Sequence, residues 1–359
     1  MENSKLRIAL VGCGGISRRH LAGYNNMKDI VEIVAFCDII ESHAKRDADM
    51  YNTPNAPIYL DYKALIADKD VLKIDAFDIC TPNNYHSIIA VAALNAGINV
   101  FCEKPDAVSV EEVLKMKEAS EKSGKMLMVM RNNRYWLTSA FLKQFIADGK
   151  MGEIYAGRCG WIRRRGIPGY GGWFCNKEES GGGPLIDLGV HMIDLAMWLM
   201  GNPTPVTVSA CTYNKFGGDA ALPGSVYYGR KGHYNVEDLA MGFIRFENGA
   251  CLQIEFSWAS NIPSDRFYVE LMGTKAGSKW DSLDQKLKIF TEENGVTVDY
   301  CPNIQNDKGV QVHEANLRHF ADCLQNGTEP MFVPQQGVNM VKILRAIYQS
   351  AEEGREIRL

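Results

Sequence analysis

Short apolar runs alternate with amphipathic stretches through the first third of the chain. Leu6-Arg7-Ile8-Ala9-Leu10-Val11 is aliphatic and β-branched and predicts a strand. A helix carrying Ser17, Arg18, His20, Leu21 and Tyr24 follows, then a second strand over Val31–Cys37. The alternation continues with a strand over 75–80, a helix over 87–96 stopped by Gly97, and a strand over Asn99–Cys102. A helix over Val110–Ser123 stopped by Gly124 and a strand over 126–130 complete it. Strands that read as apolar runs are those of a parallel sheet covered on both faces. The pattern predicts an α/β, Rossmann-type first domain over 1–130.

From about residue 131 the periodicity changes. A helix is expected over 139–148, followed by the turn Gly149-Lys150-Met151-Gly152. Residues 250–258 alternate between apolar and mostly polar side chains, so one face is buried and one is not. The Asn248-Gly249 turn pairs that strand with Leu239–Phe246 as a hairpin. Strands over 206–213, 267–272 and 287–290 add to an open, mainly antiparallel sheet with its other face free for a partner. This predicts an α+β second domain over 131–359, for substrate and self-association. Helices over 314–325 and 336–352 close it, the last expected to pack back on the first domain.

A length of 359 residues exceeds one ordinary core and supports two domains. The net charge of −4 supplies no field that would favour nucleic acid or an anionic membrane. No apolar run reaches the length of a membrane span, and Met1-Glu2-Asn3-Ser4-Lys5 leads into the first strand without a signal peptide. Ten widely spaced cysteines without a C-x-x-C pair suggest reduced thiols in a cytoplasm.

The first strand runs into Gly12-Cys13-Gly14-Gly15-Ile16-Ser17, and the second ends in Asp38. This is the dinucleotide fingerprint with Ser17 in place of its third glycine. Gly12, Gly14, Gly15, Ile16 and Ser17 are expected around the pyrophosphate, where a helix N-terminus adds positive charge. Asp38 would accept the ribose hydroxyls and repel a 2′-phosphate, and neither Ile39 nor Ile40 supplies a cation. The expected cofactor is NAD. Thr81, Asn83, His86, Glu103, Lys104 and Asn132 fall at the carboxyl ends of later strands, where such sheets bind ligands.

Residues 184–200 read as one helix with almost no polar face, hence buried. Asp187, His191 and Asp194 nevertheless form a polar line at i, i+4 and i+7. Burying them unpaired is costly. Asp187 and His191 are therefore candidates for facing a cleft and handling protons, the alternative being a self-satisfied pair that fixes packing. No third protein ligand suggests a zinc site, so no metal is expected. Residues 161–174 form a long loop rich in Arg, Gly and aromatics, suited either to ligand binding or to a subunit contact. His313 and His319, near a helix, read as structural, the alternative for His313 being a reach into the cleft.

Taken in order, these motifs resemble the Gfo/Idh/MocA family of oxidoreductases over nearly the whole chain. The resemblance rests on the glycine turn with His20, Thr81-Pro82-Asn83 with His86, and Glu103-Lys104-Pro105. It continues through Gly183, Asp187, Gly189, His191 and Asp194, and the closing helix. Within the family, the Arg163-Arg164-Arg165-Gly166-Ile167-Pro168 loop and the Gly181-Gly182-Gly183-Pro184 run resemble a narrower group containing levoglucosan dehydrogenase and the bacterial oxidases of glucoside C3. The resemblance implies a nicotinamide cofactor, polyol or sugar substrates, and association of subunits through the second sheet. Lys104, Asp187 and His191 match the family's catalytic positions, and Asn132, Tyr135, Trp161, Arg163 and Arg164 are the substrate-binding candidates. The expected reaction is oxidation of a secondary hydroxyl of a sugar or glycoside, at C3, with either Lys104 or His191 as the base. An inositol or polyol dehydrogenase, and a glycosidase that recycles NAD through transient C3 oxidation, are the alternatives; a non-catalytic NAD-binding regulator would need neither Lys104 nor the polar helix line.

Overall fold

Six short strands, mostly buried, build the first sheet: β1 (Leu6–Val11), β2 (Val31–Cys37), β3 (Ile58–Tyr59), β4 (Ala76–Ile79), β5 (Asn99–Cys102) and β6 (Leu127–Val129). They lie in the order β3-β2-β1-β4-β5-β6, and every pair is parallel. This is the doubly wound order, with its switch point between β1 and β4. The computed structural model describes residues 5–217, 222–304 and 311–359. These fall into two compact units, residues 5–132 with 311–338 and residues 133–304 with 339–359.

Local chemistry sets the helices of the first unit. The Val110–Ser123 helix starts at Ser109, whose hydroxyl accepts the Glu112 N–H, and stops at Gly124 in the left-handed conformation. The Val312–Asn326 helix belongs to this unit although the second unit's strands precede it in sequence. Its Phe320 ring lies 5.3 Å from Phe101, both fully buried. Each such side chain stabilises the unit by about 1.5–3 kcal/mol. Asn316 accepts the Arg131 backbone N–H at 2.7 Å and so fixes the exit from β6.

The second unit holds a nine-stranded sheet: β7 (Ile154–Ile162), β8 (Pro205–Tyr213), β9 (Leu239–Phe246), β10 (Cys251–Ser257), β11 (Arg266–Gly273), β12 (Ala276–Asp281), β13 (Lys286–Glu293), β14 (Val296–Tyr300) and β15 (Ile357–Arg358). The order is β14-β13-β12-β11-β7-β10-β9-β8-β15. All neighbours are antiparallel except β7 and β10. The expected 250–258 alternation is present: Leu252, Ile254 and Phe256 are buried and Gln253 is exposed.

Two expectations need correction. Trp161 and Ile162 close β7 and are not loop; the glycines and arginine inside 154–162 hide the alternation that marks a strand. The 184–200 helix is not uniformly α. Leu185–Gly189 is a π turn, and α-helix follows over Val190–Leu199. Hydrophobic periodicity does not register one turn of wider pitch.

Candidate active-site residues

In the first unit the carboxyl end of β1 meets that of β4. Gly12 has φ +91°, and a Cβ on it would lie 2.7 Å from the Cys80 carbonyl carbon and the Thr81 nitrogen. Only glycine allows this approach. Gly14 and Gly15 differ: a Cβ on either would meet nothing within 4 Å. The turn thus has one glycine for packing and two facing open space. Ile16 caps the following helix, and Ser17 is fully buried, its hydroxyl within hydrogen-bond distance of Gly14 O and Asp47 Oδ2. Asp38 Oδ2 accepts from Cys13 N at 2.7 Å and Oδ1 from Ile40 N at 2.8 Å. Its carboxylate is fixed, and each oxygen keeps acceptor capacity. The cation that sequence reading did not find beside this turn is Arg46, which bonds the Cys13 carbonyl and Asp47.

Thr81 Oγ1 and Asn132 Oδ1, after β4 and β6, are buried without a hydrogen-bond partner among the described residues. Asn83 is buried in the 3-10 turn Asn83–Tyr85. His86 is fully buried, its ring nitrogens 2.7 Å from Pro105 O and 2.9 Å from Thr81 O. It therefore ties two strand ends together. Glu103 is engaged on both oxygens, by His20 Nε2 at 2.9 Å and by Lys104 N at 2.9 Å. The other nitrogen of His20 lies 2.8 Å from Asp78 Oδ2.

Burial alone would lower the His20 pKa, but the Asp78 carboxylate outweighs it and holds the imidazolium well above its ordinary range. Against the upward push of burial, His20 and then Lys104 hold Glu103 down to about 2. His313 shares the neighbourhood; burial lowers it to about 4. Sequence reading missed this His20–Asp78–Glu103 triad because its members come from one helix and two strand ends. His20, Asp78 and Cys80 also bring metal-ligating atoms within 4.8 Å of one another. Both His20 nitrogens already face carboxylates, so the ion pairs account for the cluster.

In the second unit the three polar residues of the buried helix part company. Asp194 is buried and accepts Arg134 Nε at 2.8 Å and Nη2 at 2.7 Å, a bidentate pair. Asp187 and His191 are half-buried, while every other residue over 185–199 is buried. Asp187 Oδ2 accepts the Trp258 indole N–H at 3.1 Å, and the His191 ring lies 6.1 Å from Trp161. The aromatic row continues from Trp161 to Phe267 at 4.9 Å and on to Trp280 at 5.1 Å.

The start of this helix is held by Glu237, which sequence reading also missed. Its carboxylate accepts Gly183 N at 2.9 Å, Leu185 N at 3.1 Å and the Tyr348 hydroxyl at 2.9 Å. Burial raises its pKa, and these donors oppose the rise. A Cβ on Gly183 would collide with the Glu237 carbonyl, and one on Gly189 would press on Phe256 at 3.2 Å. Both glycines are needed to seat the helix.

Of the loop arginines, Arg163 lies over Trp161 at 5.1 Å and donates to Gly166 O. Arg164 is exposed and donates to Pro263 O. Arg165 is tied to Ser260 O and Asn261 and braces the loop. Tyr135 is half-buried.

Two family profiles match the chain: "Oxidoreductase family, NAD-binding Rossmann fold" over residues 6–131 and "Oxidoreductase family, C-terminal alpha/beta domain" over residues 143–359. The chain belongs to the Gfo/Idh/MocA oxidoreductase family.

It is 34% identical to the D-glucoside 3-dehydrogenase of Escherichia coli (strain K12) over 100% of this chain and 99% of that protein. It is 29% identical to the levoglucosan dehydrogenase of Pseudarthrobacter phenanthrenivorans, over 77% of this chain and 73% of that one. A solved levoglucosan dehydrogenase in complex with NADH shares the fold at TM-score 0.85 and 23% identity, each chain covered to 99%. The protein is thus an NAD-dependent oxidoreductase. The strand ends fit that cofactor: two turn glycines face open space, the Thr81 hydroxyl lacks a partner among the described residues, and Asp38 is fixed with acceptor capacity to spare.

Proposed function

We propose that the chain oxidises a secondary hydroxyl, at C3, of a sugar or glycoside. The observation that carries this reading is the Asp187–His191 pair, the only half-buried residues over 185–199. The D-glucoside and levoglucosan activities of the relatives support the substrate class. Bound NAD supplies the hydride acceptor. His191 takes the hydroxyl proton as the C–H hydride leaves, so alcohol becomes ketone. Asp187, fixed by Trp258, accepts a hydrogen bond from the substrate, and the Lys104 ammonium favours the developing alkoxide.

Residues 1–130 serve as the NAD-binding domain and 131–359 as the substrate and self-association domain. In the first, Gly14, Gly15, Ile16, Thr81 and Asn83 hold the dinucleotide, Gly12 and Ser17 shape the turn that presents them, and Asp38 takes the ribose hydroxyls. His86 and Glu103 keep the strand ends in place. Asn132, Tyr135, Trp161, Arg163 and Arg164 recognise the sugar, with the Trp161 face suited to its C–H surface.

Self-association is assigned to the outer face of the second sheet. Met241 and Tyr213 are 42% and 44% exposed there, with Cys211 paired opposite Met241. We place the enzyme in the cytoplasm, in keeping with ten unpaired cysteines. Among the described residues no helix is long and apolar enough to cross a membrane.

The test incubates the protein with NAD and, separately, methyl glucosides, levoglucosan, glucose and inositols. NADH formation with a product lighter by two hydrogens and a carbonyl at C3 by NMR is expected for a glycoside. Oxidation confined to inositols would replace the substrate class. Glycosidic cleavage without net NADH would replace net oxidation by internal recycling.

A further inference from the structure

Between β8 and the Pro334–Glu353 helix, the second unit has an open cleft of about 500 Å3 lined by Lys177, Thr212, Arg345, Tyr348, Gln349 and Glu352. None of these is a residue assigned above to NAD, sugar or proton transfer. Two cations address one ring there. The Lys177 ammonium lies 5.8 Å and the Arg345 guanidinium 5.5 Å from the Tyr348 centroid. Neither side chain has a carboxylate within salt-bridge distance among the described residues. Cations on a protein surface are common, but here two of them outnumber the single carboxylate of one lining, which is left net positive. The lining adds one carboxylate, Glu352, and two neutral polar side chains. Gln349 gives its amide N–H to Glu353 and keeps its carbonyl oxygen as an acceptor; Thr212 supplies a hydroxyl.

We propose that this cleft is a second binding site, for a phosphorylated sugar. A guanidinium matches phosphate oxygens in a bidentate fork, and an ammonium adds a point charge. Thr212, Gln349 and Glu352 offer the mixed donors and acceptors that sugar hydroxyls take. The volume lies within the range of small-molecule sites, about 300–1,000 Å3. The cleft wall is also shared with the reaction machinery, because the Tyr348 hydroxyl bonds Glu237, which holds the start of the helix bearing Asp187 and His191.

The test is calorimetric titration of the NAD-saturated, full-length protein with glucose 6-phosphate, glucose, glucuronate and inorganic phosphate. Saturable binding of glucose 6-phosphate is expected, with at least about tenfold weaker binding of the other three. Arg345→Gln and Lys177→Gln should each weaken glucose 6-phosphate about tenfold, as expected for losing one charge-assisted partner, with NAD affinity and sugar turnover unchanged. Binding that survives the double variant but vanishes in His191→Ala would place the ligand elsewhere and overturn the proposal. Equal binding of glucuronate would overturn the phosphate assignment, and no binding of any probe would overturn the site.

Discussion

At the strand ends of the first unit His20, Asp78 and Glu103 are occupied by one another, whereas on the 185–199 helix of the second unit two of three polar groups stay half-open. His20, Asp78 and Glu103 close a buried ion-pair set, and both His86 nitrogens lie within 2.9 Å of backbone carbonyls. What the first unit leaves for a ligand is backbone and space, at Gly14, Gly15 and the Thr81 hydroxyl. On the second unit's helix Asp194 is satisfied by Arg134, and Asp187 and His191 are set at the boundary of the core. A dinucleotide can be gripped by amides and small residues, but proton transfer needs a side chain able to change its charge. Substitutions at the strand ends other than Lys104 should therefore move affinity, and substitutions on the helix should move turnover.

The largest effect is expected from Asp194→Asn. It strands the buried Arg134 charge and should destabilise the second unit by about 3–5 kcal/mol in urea unfolding. Full stability with lost turnover would instead put Asp194 beside Asp187 and His191. His191→Ala comes next, lowering turnover roughly 100-fold while leaving the melting curve and NAD affinity in place. Lys104→Ala in the same assay identifies the base: a flattened pH–rate profile in one variant only assigns the proton to that residue.

The two kinds of glycine sharpen the contrast further. Gly12→Ala forces a Cβ onto the Cys80–Thr81 backbone at positive φ and should cost more than about 1 kcal/mol of stability. Gly14→Ala should leave stability within about 0.5 kcal/mol but weaken NAD about tenfold, because its Cβ enters the open space. Equal losses of stability in the two would end the distinction. A separate effect appears only in acid. Glu103 is depressed to about 2, so its contribution is complete above its ordinary 4.5 and disappears as pH falls from there to about 2. Glu103→Gln should fall less steeply across that window in denaturant titrations at stepped pH; an unchanged slope would mean that Glu103 is not the group being protonated.

The first sheet was legible because strands covered on both faces are apolar runs punctuated by glycine, and 6–11, 31–37 and 99–102 have the bounds read from periodicity. The second sheet was only half legible. β10 alternates cleanly, but β7 carries Gly157, Arg158 and Gly160, β12 is short and mixed, and β14 is exposed at every position but Val298. Asp187 and His191 stood out because their neighbours are apolar. Arg134 and Glu237 did not, since the pairs Arg134–Asp194 and Glu237–Leu185 join residues far apart in sequence and no local pattern announces them. The π turn escaped for a related reason: the same side chains satisfy either pitch.

The Val312–Asn326 helix bears on how the protein is made. Phe320, which covers Phe101, and Asn316, which fixes Arg131, are translated only after the chain has passed through β7 to β14. A nascent first unit therefore waits with an aromatic face uncovered while the next unit's strands leave the ribosome. Synthesis cannot deliver one finished module and then another, and the interval between Phe101 and Phe320 is when the young chain is most exposed to chaperones and to aggregation.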